Sequence, residues 1–201
     1  MRSAVLALAV VFTSSAWPGL AADLACEREM VQAAHRHGVP LGMLYAVGLT
    51  ETGRGDSLRP YALNIEGRAV YETDRKGARD QFIAAQQAGA RSIDVGCMQI
   101  NHRFHGRNFA SLADMLEPAK NVDYAARFLR QLREREGSWT KAVARYHAGP
   151  NNVPAQRRYV CRVIANMVAS GFSSWTEDAR AFCTPQQGAV PAAGGVATNG
   201  R

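Results

Sequence analysis

The sequence predicts a mainly α (α+β) domain, and three observations carry that prediction. Amphipathic stretches closed by helix-stop residues dominate both halves of the chain. One stretch, residues 57–95, interrupts them with short apolar runs and turn pairs. Four cysteines, none in a C-x-x-C pair, suit two structural bridges in an exported domain. With 201 residues, 47% hydrophobic and 20% charged, the chain is long enough for one such core plus appendages.

The N-terminus has Arg2, an apolar run from Ala4 to Phe12, and small residues up to Ala22. That pattern predicts a cleaved secretory signal over 1–22 and a periplasmic mature protein. The run is too short to cross a bilayer core. Leu24-Ala25-Cys26 has the outline of a lipid-attachment site, but Asp23 stands where such a site wants an apolar residue.

The mature domain is expected over 23–183. Cys26 to His37 predicts a helix stopped by Gly38, and Pro40 suits the first turn of the next. On that second helix Leu41, Leu44, Gly48 and Glu51 share one face. Thr52-Gly53-Arg54-Gly55-Asp56 ends it. A small β–β–α insertion follows: strands over 61–65 and 68–71 joined at Glu66-Gly67, then a helix over 74–88. A last strand, 91–95, runs into Gly96.

A short helix over 111–116 is expected to stop before Pro118. Helices then follow over 122–135, 139–148 and 154–170. On the first of these Val122, Ala125, Phe128, Leu129 and Leu132 face inward, and Arg127, Arg130, Arg133 and Glu134 form a solvated face. Ser174-Trp175-Thr176-Glu177 begins a final helix that ends at Cys183. The tail over 184–201 has no periodicity and no large apolar side chain beyond valine, which predicts disorder. It is either an inert extension or a docking segment for a partner.

A net charge of +7 suits an anionic polymer. Nucleic acid is not expected, because no Lys/Arg block carries interleaved aromatics. His35 with His37, and His102 with His105, have spacings that metals use, yet no thiolate or carboxylate recurs beside them. Capping or surface roles are expected for these histidines, with no metal and no cofactor.

Glu51 is the first chemical anomaly. A carboxylate in line with Leu44 and Gly48 is partly desolvated, and burial raises its pKa so that it can donate a proton near neutrality. The alternative is a fraying helix end that reaches water or Arg54. Two later segments add to the picture. Asp94-Val95-Gly96-Cys97-Met98-Gln99-Ile100-Asn101 sets two amides after a strand, and Ala144-Arg145-Tyr146-His147-Ala148-Gly149-Pro150 sets a phenol near a helix end. Amides suit the N-acetyl and hydroxyl groups of an aminosugar.

Read in order, Glu51-Thr52, then Gly96 to Asn101, then Ala144 to Gly149 resemble three motifs of the family 1 lytic transglycosylases. Those motifs are Glu-Ser/Thr, Gly-Leu-Met-Gln-Ile-Asn and Ala-Tyr-Asn-Ala-Gly of the lysozyme-like SLT domains. The likeness covers about residues 26 to 160. It implies a lysozyme-like helical fold, Glu51 as the catalytic acid/base, and peptidoglycan glycan strands as substrate. Thr52, Asn64, Met98, Gln99, Asn101, Tyr146 and His147 would be the substrate-binding residues. The implied product is a 1,6-anhydro-muramic acid end, made without water.

Departures from the family pattern are Thr52 for serine, Cys97 for leucine, and Arg145 and His147 for alanine and asparagine. A muramidase that adds water would need a second carboxylate; Asp56, Glu66, Asp74 and Asp94 are the candidates. A non-catalytic wall-binding assembly factor is the reading from another class. Small size and the tail suggest, by likeness of architecture, an enzyme serving a flagellum or a secretion system. For the cysteines, Cys161 and Cys183 close a short local loop, which leaves Cys26 to pair with Cys97.

Overall fold

The computed structural model describes residues 24–52 and 57–184. Nine α-helices and four strands run in the order α1 (Ala25–His37), α2 (Leu41–Thr52), β1 (Ala62–Ile65), β2 (Arg68–Tyr71), α3 (Arg75–Gln87), β3 (Ile93–Val95), β4 (Ile100–Asn101), α4 (His102–His105), α5 (Leu112–Met115), α6 (Pro118–Glu136), α7 (Trp139–His147), α8 (Val153–Ala169) and α9 (Glu177–Cys183) among the described residues. The mainly α class with one small β insertion is therefore borne out.

The centre of the bundle is α2. Its sequence is apolar on almost every side, and Gly42, Leu44, Ala46, Val47 and Gly48 are buried. A helix hydrophobic all round belongs inside a core, and here α1, with Met30, Ala33 and Ala34 inward, covers one side while α8 covers another. Gly38 closes α1 at φ +62, where the missing Cβ removes the steric penalty. The long amphipathic α6 buries Val122, Ala125, Leu129 and Leu132 against α1 and α7.

Strand order in the sheet is β2-β1-β3-β4, antiparallel throughout. Leu63 and Ile65 of β1 and Ile93 and Val95 of β3 point into the core, so the sheet packs one face on the bundle. Asp74 caps α3 by accepting from the Gly77 amide at 2.7 Å.

Several expected boundaries move. The short helix stops before Pro118 as expected, at Met115, but the helix expected from residue 122 already begins at Pro118, whose fixed φ and missing N–H suit a helix start. The strand expected from residue 91 begins at Ile93. Strand β4 was not expected, since two residues carry no periodicity.

Two disulfides tie the fold. Cys26 joins Cys97 with Cα atoms 5.7 Å apart, and Cys161 joins Cys183 at 5.5 Å, the pairing expected from the sequence. No helix among the described residues is long and apolar enough to cross a membrane. The expected signal at 1–22, the expected break at 53–56, and the expected tail beyond Thr184 lie outside the described residues.

Candidate active site

Glu51 stands in the last turn of α2, where the helix leaves the core and meets a cleft of about 340 Å³. The cleft lies between the sheet and the α6–α7 side of the bundle. Asn64, Asp94 and Asn101 line it from the strands, Gln99 from the turn between β3 and β4, and Phe104 and His105 from α4. Phe128, Tyr146 and His147 close the opposite wall.

The Glu51 side chain is 17% exposed. Burial raises its pKa to about 7 by penalising the carboxylate, and the nearby Asp94 charge pushes the same way. A hydrogen bond from the Tyr159 hydroxyl to Oε1, 2.6 Å long, opposes the rise, as does the Arg162 cation. The carboxyl group therefore holds its proton up to neutral pH, and no Lys or Arg among the described residues is paired to it. The His147 imidazole lies farther off than Tyr159, with Nδ1 4.0 Å from Oε1. Burial depresses the His147 pKa, with help from Arg162 and Arg158. The imidazole stacks flat on Tyr159, ring centres 4.3 Å apart and planes 2° from parallel.

The floor of the cleft is the turn 96–99 between β3 and β4. Gly96 has φ +78, and a Cβ there would sit 2.7 Å from Asn121 Nδ2, so both space and backbone require glycine. Asn121 is fully buried in α6 and holds the turn from beneath. Its Oδ1 accepts from the Met98 amide at 2.9 Å, and its Nδ2 donates to the Val95 and Met115 carbonyls, each at 2.9 Å. Tyr146 clamps the same turn by donating to the Met98 carbonyl at 2.9 Å. Cys97 adds the covalent tie to α1. Gly48 lets the turn close on α2, because a Cβ there would meet Met30 Cε at 2.6 Å and Met98 Sδ at 3.3 Å.

Gln99, at φ +44, sits in a conformation that side chains beyond glycine seldom adopt. Its Nε2 donates to the Ala62 and Gly96 carbonyls, both at 3.1 Å, and its amide oxygen has no hydrogen-bond partner among the described residues. Asn101 Nδ2 donates to Asp94 Oδ1 at 2.7 Å, while its Oδ1 caps α4. Asn64 Oδ1 accepts from the Gly67 amide at 2.7 Å.

Of the sequence-predicted residues, Glu51, Asn64, Gln99, Asn101, Tyr146 and His147 meet in one cleft. Two do not. Met98 is buried with its side chain in the core, and it reaches the site only through its backbone. Thr52 is 2% exposed, and its hydroxyl lies within reach of the Gly48 and Cys97 carbonyls at 3.2 and 3.1 Å, facing away from the cleft. Asp94 alone among the four alternative carboxylates lines the cleft among the described residues: Asp74 caps α3, Glu66 accepts from the Arg91 amide, and Asp56 lies outside them.

Tyr159 and Asn121 were missed. Each is a polar residue on an apolar stripe, Tyr159 beside Val160 and Val163, and Asn121 three residues beyond Pro118 and four before Ala125. That pattern was the available signal, because a buried polar atom needs a partner. The histidines have other uses. His37 meets Asp123 at 2.8 Å, His102 packs edge-on against Phe82, and His105 meets the Tyr124 hydroxyl at 2.7 Å.

A buried neutral acid beside amide groups in an open cleft can protonate a sugar's bridging oxygen. No curated protein and no solved structure matches the chain. The family model described as the transglycosylase SLT domain matches residues 30–165, a span from within α1 to within α8 that holds Glu51 and both later motifs. On that match and this fold, the chain belongs to the transglycosylase SLT family, a lysozyme-like family whose substrate is peptidoglycan.

Proposed function

We propose that this chain is a peptidoglycan lytic transglycosylase that cleaves the MurNAc-β-1,4-GlcNAc bond and leaves 1,6-anhydro-MurNAc ends. The observation that carries the reading is Glu51, an acid with a pKa of about 7 on the wall of an amide-lined cleft. Its proton passes to the glycosidic oxygen as the C1–O bond breaks. The resulting carboxylate then takes the proton of the muramic acid 6-hydroxyl as that oxygen closes onto C1. Glu51 is protonated again at the end, so one group serves as acid and base and no water enters. Tyr159 holds the carboxyl group in place by its 2.6 Å bond. Gln99 and Asn101 offer amides to the sugar, and exposed Phe104 offers an apolar face to a pyranose ring.

One observation favours a second reading, hydrolysis of the same bond. Asp94 lines the cleft with Glu51 and would be the carboxylate that directs a water. Its pKa is raised by burial, however, and its Oδ1 is already engaged by Asn101.

Mass spectrometry of muropeptides released from purified wall separates the outcomes. Anhydro ends, lighter than reducing ends by one water, support the transglycosylase, while reducing ends establish a muramidase. A total absence of products leaves only a wall-binding factor. The role in cells is a local opening of the wall in the periplasm for a flagellum or secretion system, after export by the signal over 1–22 and with docking through the tail. It rests on the apolar run over 4–12 and the aperiodic composition of 184–201.

A further inference from the structure

Beyond Tyr159 and His147 the cleft gives way to a strongly basic surface on α8. Arg158 and Arg162, one helical turn apart, are both exposed, and neither has a carboxylate partner among the described residues. They bracket the catalytic acid's own support. The Arg162 guanidinium lies 5.7 Å from the centre of the Tyr159 ring, and its charge reaches Glu51. Both cations bear on His147. On their other side they border a groove of about 770 Å³ between α8 and α9, with walls of Val153, Pro154 and the Cys161–Cys183 bridge. Arg157, which also borders it, is already spent on the Phe182 and Thr184 carbonyls, each at 2.7 Å. Two guanidinium groups with no carboxylate partner among the described residues therefore stand between the Tyr159–His147 side of the cleft and the α8–α9 groove.

The substrate chemistry supplies a match. In peptidoglycan the muramic acid lactyl group carries a short peptide with small apolar side chains and free carboxylates. A peptide leaving the sugar next to Glu51 has to run past one wall of the cleft. Guanidinium groups bind carboxylates in a two-pronged geometry that an ammonium cannot copy, and alanine methyl groups suit walls of valine, proline and cystine. We propose that Arg158 and Arg162 bind the carboxylates of the substrate's stem peptide in the α8–α9 groove, so that the enzyme prefers peptide-bearing strands over bare glycan. This deepens the proposed function and rests on it.

The test compares glycan strands carrying tetrapeptide stems with the same strands stripped by an amidase. Wild type should show a kcat/KM about tenfold higher on the peptide-bearing strands at low salt, with the preference shrinking at about 1 M salt as the charges are screened. Arg158→Gln with Arg162→Gln should bring the ratio of the two kcat/KM values close to one, and the paired lysine substitutions should retain part of it. Both positions are exposed, so an unchanged melting curve checks that the fold is intact. Equal wild-type efficiency on the two strands overturns this inference alone, as does a wild-type ratio that survives the glutamine pair. Capture of wild type by phosphatidylglycerol vesicles, combined with a strand ratio of one, assigns the patch to a lipid surface and overturns it too. A wild type that cuts neither strand overturns the reading of the cleft and this inference with it.

Discussion

Glu51→Gln should make the protein more stable at alkaline pH while it destroys turnover. The Glu51 pKa rises from an ordinary 4.5 to about 7 in the fold. At about 1.4 kcal/mol per pH unit, that gap corresponds to about 3 kcal/mol. Between those two values the folded chain keeps a proton that the unfolded chain has released. Stability therefore falls as pH rises: the contribution is fully present below about 4.5 and lost once pH has passed about 7. Glutamine carries no charge at any pH and escapes the decline, and its amide oxygen still accepts from Tyr159. Wild type and variant should melt together near pH 4. By pH 8 to 9 the variant should melt higher by roughly 6 to 12 °C, at 2–4 °C per kcal/mol for a domain of this size. Thermal melts followed by circular dichroism at stepped pH read the difference directly. A gap that stays constant with pH, or a variant less stable at pH 8, would refute the account of Glu51 as a buried neutral acid. So would near-wild-type turnover.

Tyr159→Phe removes the bond that favours the carboxylate, so the alkaline limb of kcat/KM should move to higher pH while turnover drops; an unmoved limb argues against Tyr159 as the group that tunes Glu51. Asn121→Leu strands the Met98 amide and two carbonyls in the core, and urea unfolding should show a loss of about 3 kcal/mol or more. A loss under about 1 kcal/mol would mean that the turn holds without it. Replacing Cys26 and Cys97 together by serine should cost about 2–4 kcal/mol and raise KM through a looser cleft floor; unreduced peptide maps linking Cys26 to Cys161 would contradict the pairing. Deleting residues 185–201 should leave the melting temperature and the cleavage of purified wall unchanged, and lost activity on isolated wall would show that the tail packs on the domain.

The helical frame was legible because its signals are local. Gly38 sits where a helix stops, and the apolar stripe of α6 reports its buried face. Helix ends were less so, as Pro118 shows, since the same ring that breaks a helix also starts one. In the site, Glu51 stood out as a carboxylate on an apolar face, and Tyr146 as a phenol at a helix end. What sequence order could not supply was how distant elements meet. Tyr159 is 108 positions from Glu51, and Asn121 is 23 from Met98. Burial of Met98 and Thr52 was hidden for a related reason: a position inside a binding motif does not say whether the side chain or the backbone does the work.

The order of the cysteines has a consequence for biogenesis. Counting along the chain, the first bridges to the second and the third to the fourth, across 71 and 22 positions. A chain that enters an oxidising compartment N-terminus first would present each cysteine only after its predecessor had been paired or was waiting for it. Sequential oxidation by the first available donor then yields the native connectivity, with no mispaired intermediate to be reshuffled. In such a compartment a thiol oxidant alone would suffice for maturation, and a disulfide isomerase would have nothing to correct. On that route the cleft floor would be sealed on emergence of Cys97, before Tyr146 and Tyr159 arrive to complete the wall around Glu51.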